Sequence, residues 1–180
     1  MLPPRLTDLD GRCERYLAGM ARKDISMTVE ERSAFLEAGM TLIVTSLGRD
    51  GQPHSAPMWY FVEDDKVVFR SFTKSQKMVN LRRDPRITVL VERGIAYADL
   101  QAVMIQGTAR LVDGAHDPRY LLESYRRLAA KYPMVGPDPI ELDPDALEAA
   151  FGRFAPKNTA VIVEPRRIVS WDHRKLEGAY

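Results

Sequence analysis

The chain is short of cysteine, of long apolar runs and of net charge, and each shortage removes a class of function. Cys13 is the only cysteine in 180 residues, so an intrachain disulfide is impossible and a thiolate metal cage lacks ligands. As a nucleophile Cys13 needs a nearby histidine, yet His54, His116 and His173 are scattered without triad or ligand spacing. No metal site is expected. No apolar run approaches the ~18 residues that span a bilayer, and Met1-Leu2-Pro3-Pro4-Arg5 leads into charges rather than a signal-like apolar core. A cytoplasmic protein with no membrane contact is expected. Lys plus Arg number 26 against 25 for Asp plus Glu, a formal charge of +1, so no broad field gathers nucleic acid. Any anion must be held locally. The dinucleotide fingerprint G-x-G-x-x-G and the phosphate loop G-x-x-x-x-G-K are also missing, which argues against a Rossmann dehydrogenase or a nucleotidase.

What remains is an ordinary globular composition, 45% hydrophobic and 28% charged, in a length that suits one domain with a real core. Residues 1–27 mix Pro3, Pro4, Gly11 and Gly19 with many charges and read as an arm, with a helix confined to Arg12–Arg22. Thr28-Val29-Glu30-Glu31 carries the reciprocal capping pattern and predicts a helix from Val29 to about Ala38, closed by Gly39.

From Thr41 the period becomes two. Strands are predicted over Thr41–Leu47, Pro53–Val62, Lys66–Ser71, Arg86–Glu92, Ala102–Leu111, Thr159–Glu164 and Arg167–His173. Gly48-Arg49-Asp50-Gly51 turns the first hairpin, Pro57 marks an edge or a bulge, and Gly107 marks a bend. A short helix is predicted over Ser75–Arg83, stopped by Asp84-Pro85. Two more, Pro118 to about Lys131 and Pro144–Phe154 behind Asp143, lie in an insertion over residues 114–157. Short hairpin steps with helices gathered into insertions predict a mainly β, antiparallel barrel rather than a doubly wound sheet.

Lys74-Ser75-Gln76-Lys77 stands where a strand gives way to a helix. Free N–H groups at a helix start carry roughly half a positive charge, and two lysines at the same point make an anion site. A phosphorylated cofactor is the expected guest, and no metal or nucleic acid is needed.

Pro53-His54-Ser55-Ala56-Pro57-Met58-Trp59-Tyr60 and Ser75-Gln76-Lys77-Met78-Val79-Asn80-Leu81-Arg82-Arg83-Asp84-Pro85-Arg86 resemble the flavin and deazaflavin split-barrel superfamily founded on pyridoxamine 5'-phosphate oxidase. Val103–Ala109 and Val169–Asp172 extend the similarity. The resemblance implies a split β-barrel over residues 28–180 that works as a homodimer, with a cofactor ring in a groove shared by both subunits and a small-molecule substrate. It implies that Ser55, Ala56, Pro57, Met58, Trp59 and Tyr60 line the ring, that Ser71 follows the strand end, and that Lys74, Ser75, Gln76, Lys77 and Asn80 surround the phosphate.

Relatives that oxidise pyridoxamine phosphate with FMN have arginine at Ser55, lysine at Tyr60 and arginine at Gln76, and their C-terminal Arg-x-His element is not matched by Trp171–Lys175. Three cations are therefore absent where a phosphate monoester dianion would want them. The Ser-Gln-Lys version of the motif looks most like the branch that uses the deazaflavin coenzyme F420. Its phosphodiester carries a single charge, with Arg49 available to the tail carboxylates. The implied function is hydride transfer to an unsaturated organic acceptor, with Tyr60 as the candidate proton donor. An FMN-dependent oxidase or reductase on the same fold is the alternative, and a non-catalytic flavin or haem binder the third. Trp171 is expected at the dimer interface and Gln106 in the barrel wall.

Overall fold

The computed structural model describes residues 24–134 and 136–176. The arm expected over 1–27 therefore falls mostly outside the described residues, together with the helix expected over Arg12–Arg22 and with Cys13. Its last residues are docked. Met27 N–H donates to Ser170 Oγ at 3.1 Å, Asp172 N–H to Ile25 O at 2.8 Å, and Met27 itself is buried in the core.

Helix α1 (Val29–Ala38) begins with the reciprocal cap read from the sequence. Glu31 N–H donates to Thr28 Oγ1 at 3.2 Å, and Thr28 N–H donates to Glu31 Oε2 at 2.7 Å. Gly39 ends it with φ −68°, not in the left-handed conformation. It is needed for space, because a Cβ there would strike the Tyr60 hydroxyl and Val91.

Seven strands follow: β1 (Leu42–Leu47), β2 (Pro53–Met58), β3 (Tyr60–Glu63), β4 (Lys66–Phe72), β5 (Arg86–Arg93), β6 (Gln101–Asp113) and β7 (Asn158–Asp172). They form one antiparallel sheet in the order β2-β1-β5-β6-β7-β4-β3. β2 and β3 lie at opposite edges, yet only Trp59 separates them along the chain. The sheet must therefore curl until its edges meet, which makes a split barrel.

Two strand divisions differ from the sequence reading, and their effects on the strand count cancel. The run Pro53–Val62 is two strands, because Pro53–Met58 pairs with β1 whereas Tyr60–Glu63 pairs with β4. The two strands expected on either side of Pro165 are one, because Pro165 lies opposite Gly107 at a bulge in the β6–β7 ladder. Pro165 needs no ladder donor there. Gly107 is required, since a Cβ would run into the Glu164 carbonyl.

The barrel interior is filled by Leu42, Val44, Phe69, Val89, Val103 and Val161, and Met78 and Leu81 of helix α2 (Gln76–Arg83) plug it. Helix α2 is amphipathic: Met78 and Leu81 turn inward, while Val79, Arg82 and Arg83 face out. Helices α3 (Pro118–Ala129) and α4 (Pro144–Phe151) form the insertion, capped by Asp117 and Asp143 with proline at the first helical position of each. Both are shorter at the C-terminal end than the sequence suggested. Leu121 and Tyr125 of α3 pack on Leu147 and Phe151 of α4 and on Ala160 of β7. Leu128 joins Phe61, Val68 and Ile162, so the insertion seals the outer face of β3, β4 and β7.

The opposite end of the sheet has no such seal among the described residues. Its register aligns an apolar row, Pro57, Ile43, Leu90, Met104 and Val169, beside a polar row, Ser55, Thr45, Thr88, Gln106 and Arg167. These residues are half-buried or exposed, whereas Val44, Val89 and Ile105 on the other face are buried.

Candidate functional site

The junction of β4 and α2 gathers most of the residues expected around a phosphate. Ser75 is the N-cap of α2 in an extended conformation, but its hydroxyl makes no capping bond. It lies instead 3.1 Å from Ser71 Oγ. The Met78 and Val79 N–H groups both donate to Ser75 O, and those of Gln76 and Lys77 have no acceptor among the described residues. The first turn of α2 carries no acidic side chain. An uncapped helix start with two free donors and no carboxylate is positive on every count.

Lys77 completes it. Its ammonium donates to Ser71 Oγ at 3.2 Å and forms no ion pair among the described residues. Burial pushes the Lys77 amine below the ordinary lysine range, so the charge is held there without an anion to offset its desolvation. Lys74 is exposed beside it.

Asn80 is placed differently from the expected ligand contact. It is 0% exposed, donates to Ser46 Oγ at 3.2 Å and accepts from Gln76 Nε2 at 2.9 Å. It is a brace that ties Gln76 and α2 to β1. Beside it a groove of about 600 Å³ runs between α2 and the β1–β2 turn, lined by Arg49, Pro53, His54, Gln76 and Asn80 among others. Arg82 and Arg83 fix the far end of α2, donating to Thr73 O and Leu47 O.

The strip Ser55–Tyr60 does not present a single surface. Ser55 and Pro57 point to the outer face, with Ser55 Oγ 2.8 Å from Thr45 Oγ1, and Ala56 and Met58 alternate to the half-buried side. What the strip offers in common is backbone, since among the described residues β2 pairs only with β1 and its other edge is unpaired.

Trp59 is the residue outside both strands, 44% exposed, with its ring stacked on Tyr132 at 4.7 Å and 12°. Tyr132 also clamps this crossing. Its hydroxyl donates to Tyr60 O at 3.0 Å and accepts from Tyr60 N–H at 3.2 Å.

Tyr60 corrects an expectation. It is 0% exposed and its hydroxyl donates to Leu36 O at 2.6 Å. Burial, with Tyr132 and Glu37 adding to it, drives its phenol well above the ordinary tyrosine range. A sealed phenol that already donates to the backbone cannot protonate a bound acceptor, so Tyr60 is a core residue.

Two residues outside the expected cofactor-contact set belong to the neighbourhood. His54 lines the groove with a buried Nδ1 that has no partner among the described residues. Arg70, on β4, lines a separate cleft of about 410 Å³ with Thr41, Pro57, Met58, Trp59 and Leu128. Its signal was a lone cation inside Val67-Val68-Phe69-Arg70-Ser71, which ordinary strand alternation also explains. His116 is exposed, His173 Nδ1 lies 2.8 Å from Tyr97 O, and among the described residues no three His, Cys, Asp or Glu side chains gather as a metal site.

Comparison with known proteins shows the family and the fold. The family described as Pyridoxamine 5'-phosphate oxidase matches residues 28–169. A solved conserved hypothetical protein, Rv2991 from Mycobacterium tuberculosis, is 34% identical over 88% of this chain and 92% of its own, with a TM-score of 0.76. More distant structures share the fold. One described as an F420 reductase is 19% identical over 76% of this chain and 94% of its own, TM-score 0.53. An FAD-binding protein from Mesorhizobium loti is 14% identical over 81% of this chain and 93% of its own, TM-score 0.54. No protein with a curated description matches the chain.

Proposed function

Because this chain belongs to the pyridoxamine 5'-phosphate oxidase family, by its match over residues 28–169, we propose that it is an oxidoreductase that binds coenzyme F420 and reduces an unsaturated small organic acceptor. The observation that carries the reading is the start of α2, where two free N–H groups, no acidic side chain and the anion-less ammonium of Lys77 converge. That donor set fits a phosphodiester. One negative charge is matched by helix N-terminus and lysine without the bidentate guanidinium groups that a dianion favours.

Ser71 holds Lys77 in place, Asn80 holds Gln76, and Lys74 adds an exposed charge at the same end. Arg49, on the wall of the adjoining groove, meets the tail carboxylates in this reading. The edge of β2 that no described strand pairs gives backbone donors and acceptors to a ring lying along Ser55–Met58. The cofactor, when bound, supplies the hydride equivalent. This chain's residues bind its tether, orient its ring and keep water from it.

The protein works as a homodimer in this reading. The apolar row from Pro57 to Val169, continued by Trp171 opposite Ala102, is the kind of partly exposed sheet face that a second copy covers. Pro57 and Ser55 belong to that face as well as to the ring strip, so the cofactor groove and the interface share a border.

Side-by-side fluorescence titrations with F420 and FMN, on protein from a host that makes no F420, test the proposal. Stoichiometric F420 binding, tighter than FMN, is expected. Yellow protein with stoichiometric FMN would transfer the site to flavin, and binding of neither would end the oxidoreductase reading.

A further inference from the structure

Three buried polar side-chain atoms among the described residues have no hydrogen-bond partner: His54 Nδ1, Arg70 Nε and Lys131 Nζ. Arg70 is the one that borders an open cleft of its own, about 410 Å³ in volume, within the range of small-molecule sites. Its guanidinium lies over the Tyr125 ring at 3.6 Å to the centroid, and its NH1 reaches only the neutral amide oxygen of Asn158, at 3.4 Å. No carboxylate pairs with Arg70 among the described residues. The lining of the cleft, Thr41, Pro57, Met58, Trp59, Arg70 and Leu128, holds no acid either.

A partly buried guanidinium held flat by an aromatic ring, with no described anion beside it, is expensive to keep in a fold unless something completes it. Lys131 differs. Its ammonium sits 4.1 Å from the centre of the Tyr60 ring and feels Glu37, so it has a local electrostatic partner. The wall facing the cleft is equally telling. Trp59 has its ring stacked on Tyr132 and remains 44% exposed, which leaves a rigid indole surface beside a planar cation.

We infer that this cleft is the acceptor subsite and that Arg70 selects planar, conjugated molecules that carry a carboxylate. The carboxylate meets the guanidinium from its cleft side, where no described anion stands, and the conjugated plane lies along Trp59 under Leu128 of α3. The inference rests on the proposed redox function for the word acceptor, while the subsite itself follows from the cleft. It also gives the insertion a task, because Leu128 and the Tyr125 ring that holds Arg70 both come from α3.

Calorimetric titration with cinnamate, a planar conjugated carboxylate, and with cinnamyl alcohol, its neutral counterpart, tests this on the free protein and on protein loaded with whichever cofactor binds. Cinnamate is expected to bind the loaded protein at least tenfold more tightly than the alcohol, and Arg70→Met to remove that preference while leaving the alcohol unchanged. Thr41→Trp, at an exposed position on the cleft wall, provides a variant that does not depend on refolding the interior and should block both ligands. Equal affinity for acid and alcohol, or unchanged cinnamate binding in Arg70→Met, overturns the subsite. So does loss of cinnamate binding when cofactor is added, which would put the ring in this cleft. Failure of both cofactors to bind, with Arg70-dependent cinnamate binding intact, would overturn the redox reading and leave the subsite standing.

Discussion

The ammonium of Lys77 lies 3.2 Å from the hydroxyl of Ser71 and has no other hydrogen-bond partner among the described residues. A neutral hydroxyl is a weak return for partial burial of a charge, so this contact positions the lysine more than it satisfies it. Ser71 is itself buried and close to the Ser75 hydroxyl, which draws Ser75 away from capping α2. One cluster of hydroxyls thus leaves both the helix start and the lysine free for an anion.

Removal of that ammonium should be costly and specific. Lys77→Ala is expected to weaken the preferred cofactor by about 1 to 3 kcal/mol, the range for a charge-assisted contact. Lys74→Ala, at an exposed position, should cost less than about 1 kcal/mol. Fluorescence titration of the two variants decides the matter: equal losses would mean that diffuse charge, not the seat of Lys77, holds the phosphate.

The same lysine predicts a pH dependence. Burial sets its pKa in the folded protein below that in the unfolded chain, so between the two values the unfolded chain binds more protons and stability rises with pH. Cofactor binding runs the other way. The ammonium is the form that meets phosphate, so affinity should fall as alkaline pH passes through the folded-state pKa, and binding in that range should take up a proton. Calorimetry in buffers of different ionisation enthalpy measures the uptake, which Lys77→Met should abolish.

Tyr60 gives a stability prediction and a catalytic one. Its hydroxyl serves Leu36 O inside the core, so Tyr60→Phe should lower unfolding free energy by about 1 to 3 kcal/mol, since a buried carbonyl loses its donor. Turnover with a loaded cofactor should be unchanged within twofold. A Tyr60→Phe protein that is stable but inactive would restore the tyrosine as proton donor.

Legibility followed the range of the interactions that decide each feature. The cap at Thr28 and Glu31 is settled within four residues, and the sequence announces it. The Lys74–Lys77 segment is equally local. The break at Trp59 is not, because Pro53–Val62 keeps one pattern throughout and the change of partner depends on where β1 and β4 lie in the finished barrel. Pro165 looked like a strand end because its tolerance comes from Gly107, far away in the chain. Arg70 was invisible as a site for a similar reason. Alone it is one charge in a strand, and its cleft exists only after α3 brings Leu128 and Tyr125 over β4.

The sheet face that no described residue covers offers the sharpest test of assembly. Leu90 is flanked by Ile43 on β1 and Met104 on β5's other neighbour, β6, with Val169 next in line on β7. All are half-buried in the single chain, so a charge at Leu90 has solvent available in a monomer and little effect on folding. In a dimer that buries this row the same charge is desolvated without a partner, a penalty of several kcal/mol per ion counted on both copies. Leu90→Asp should therefore halve the mass measured by light scattering while leaving the thermal unfolding of the chain nearly intact. Because Pro57 and Ser55 share that face, cofactor affinity should fall in step with dissociation. A Leu90→Asp protein that stays at the wild-type mass would place the interface elsewhere, and one that becomes monomeric with full cofactor affinity would show that the groove is complete within a single chain.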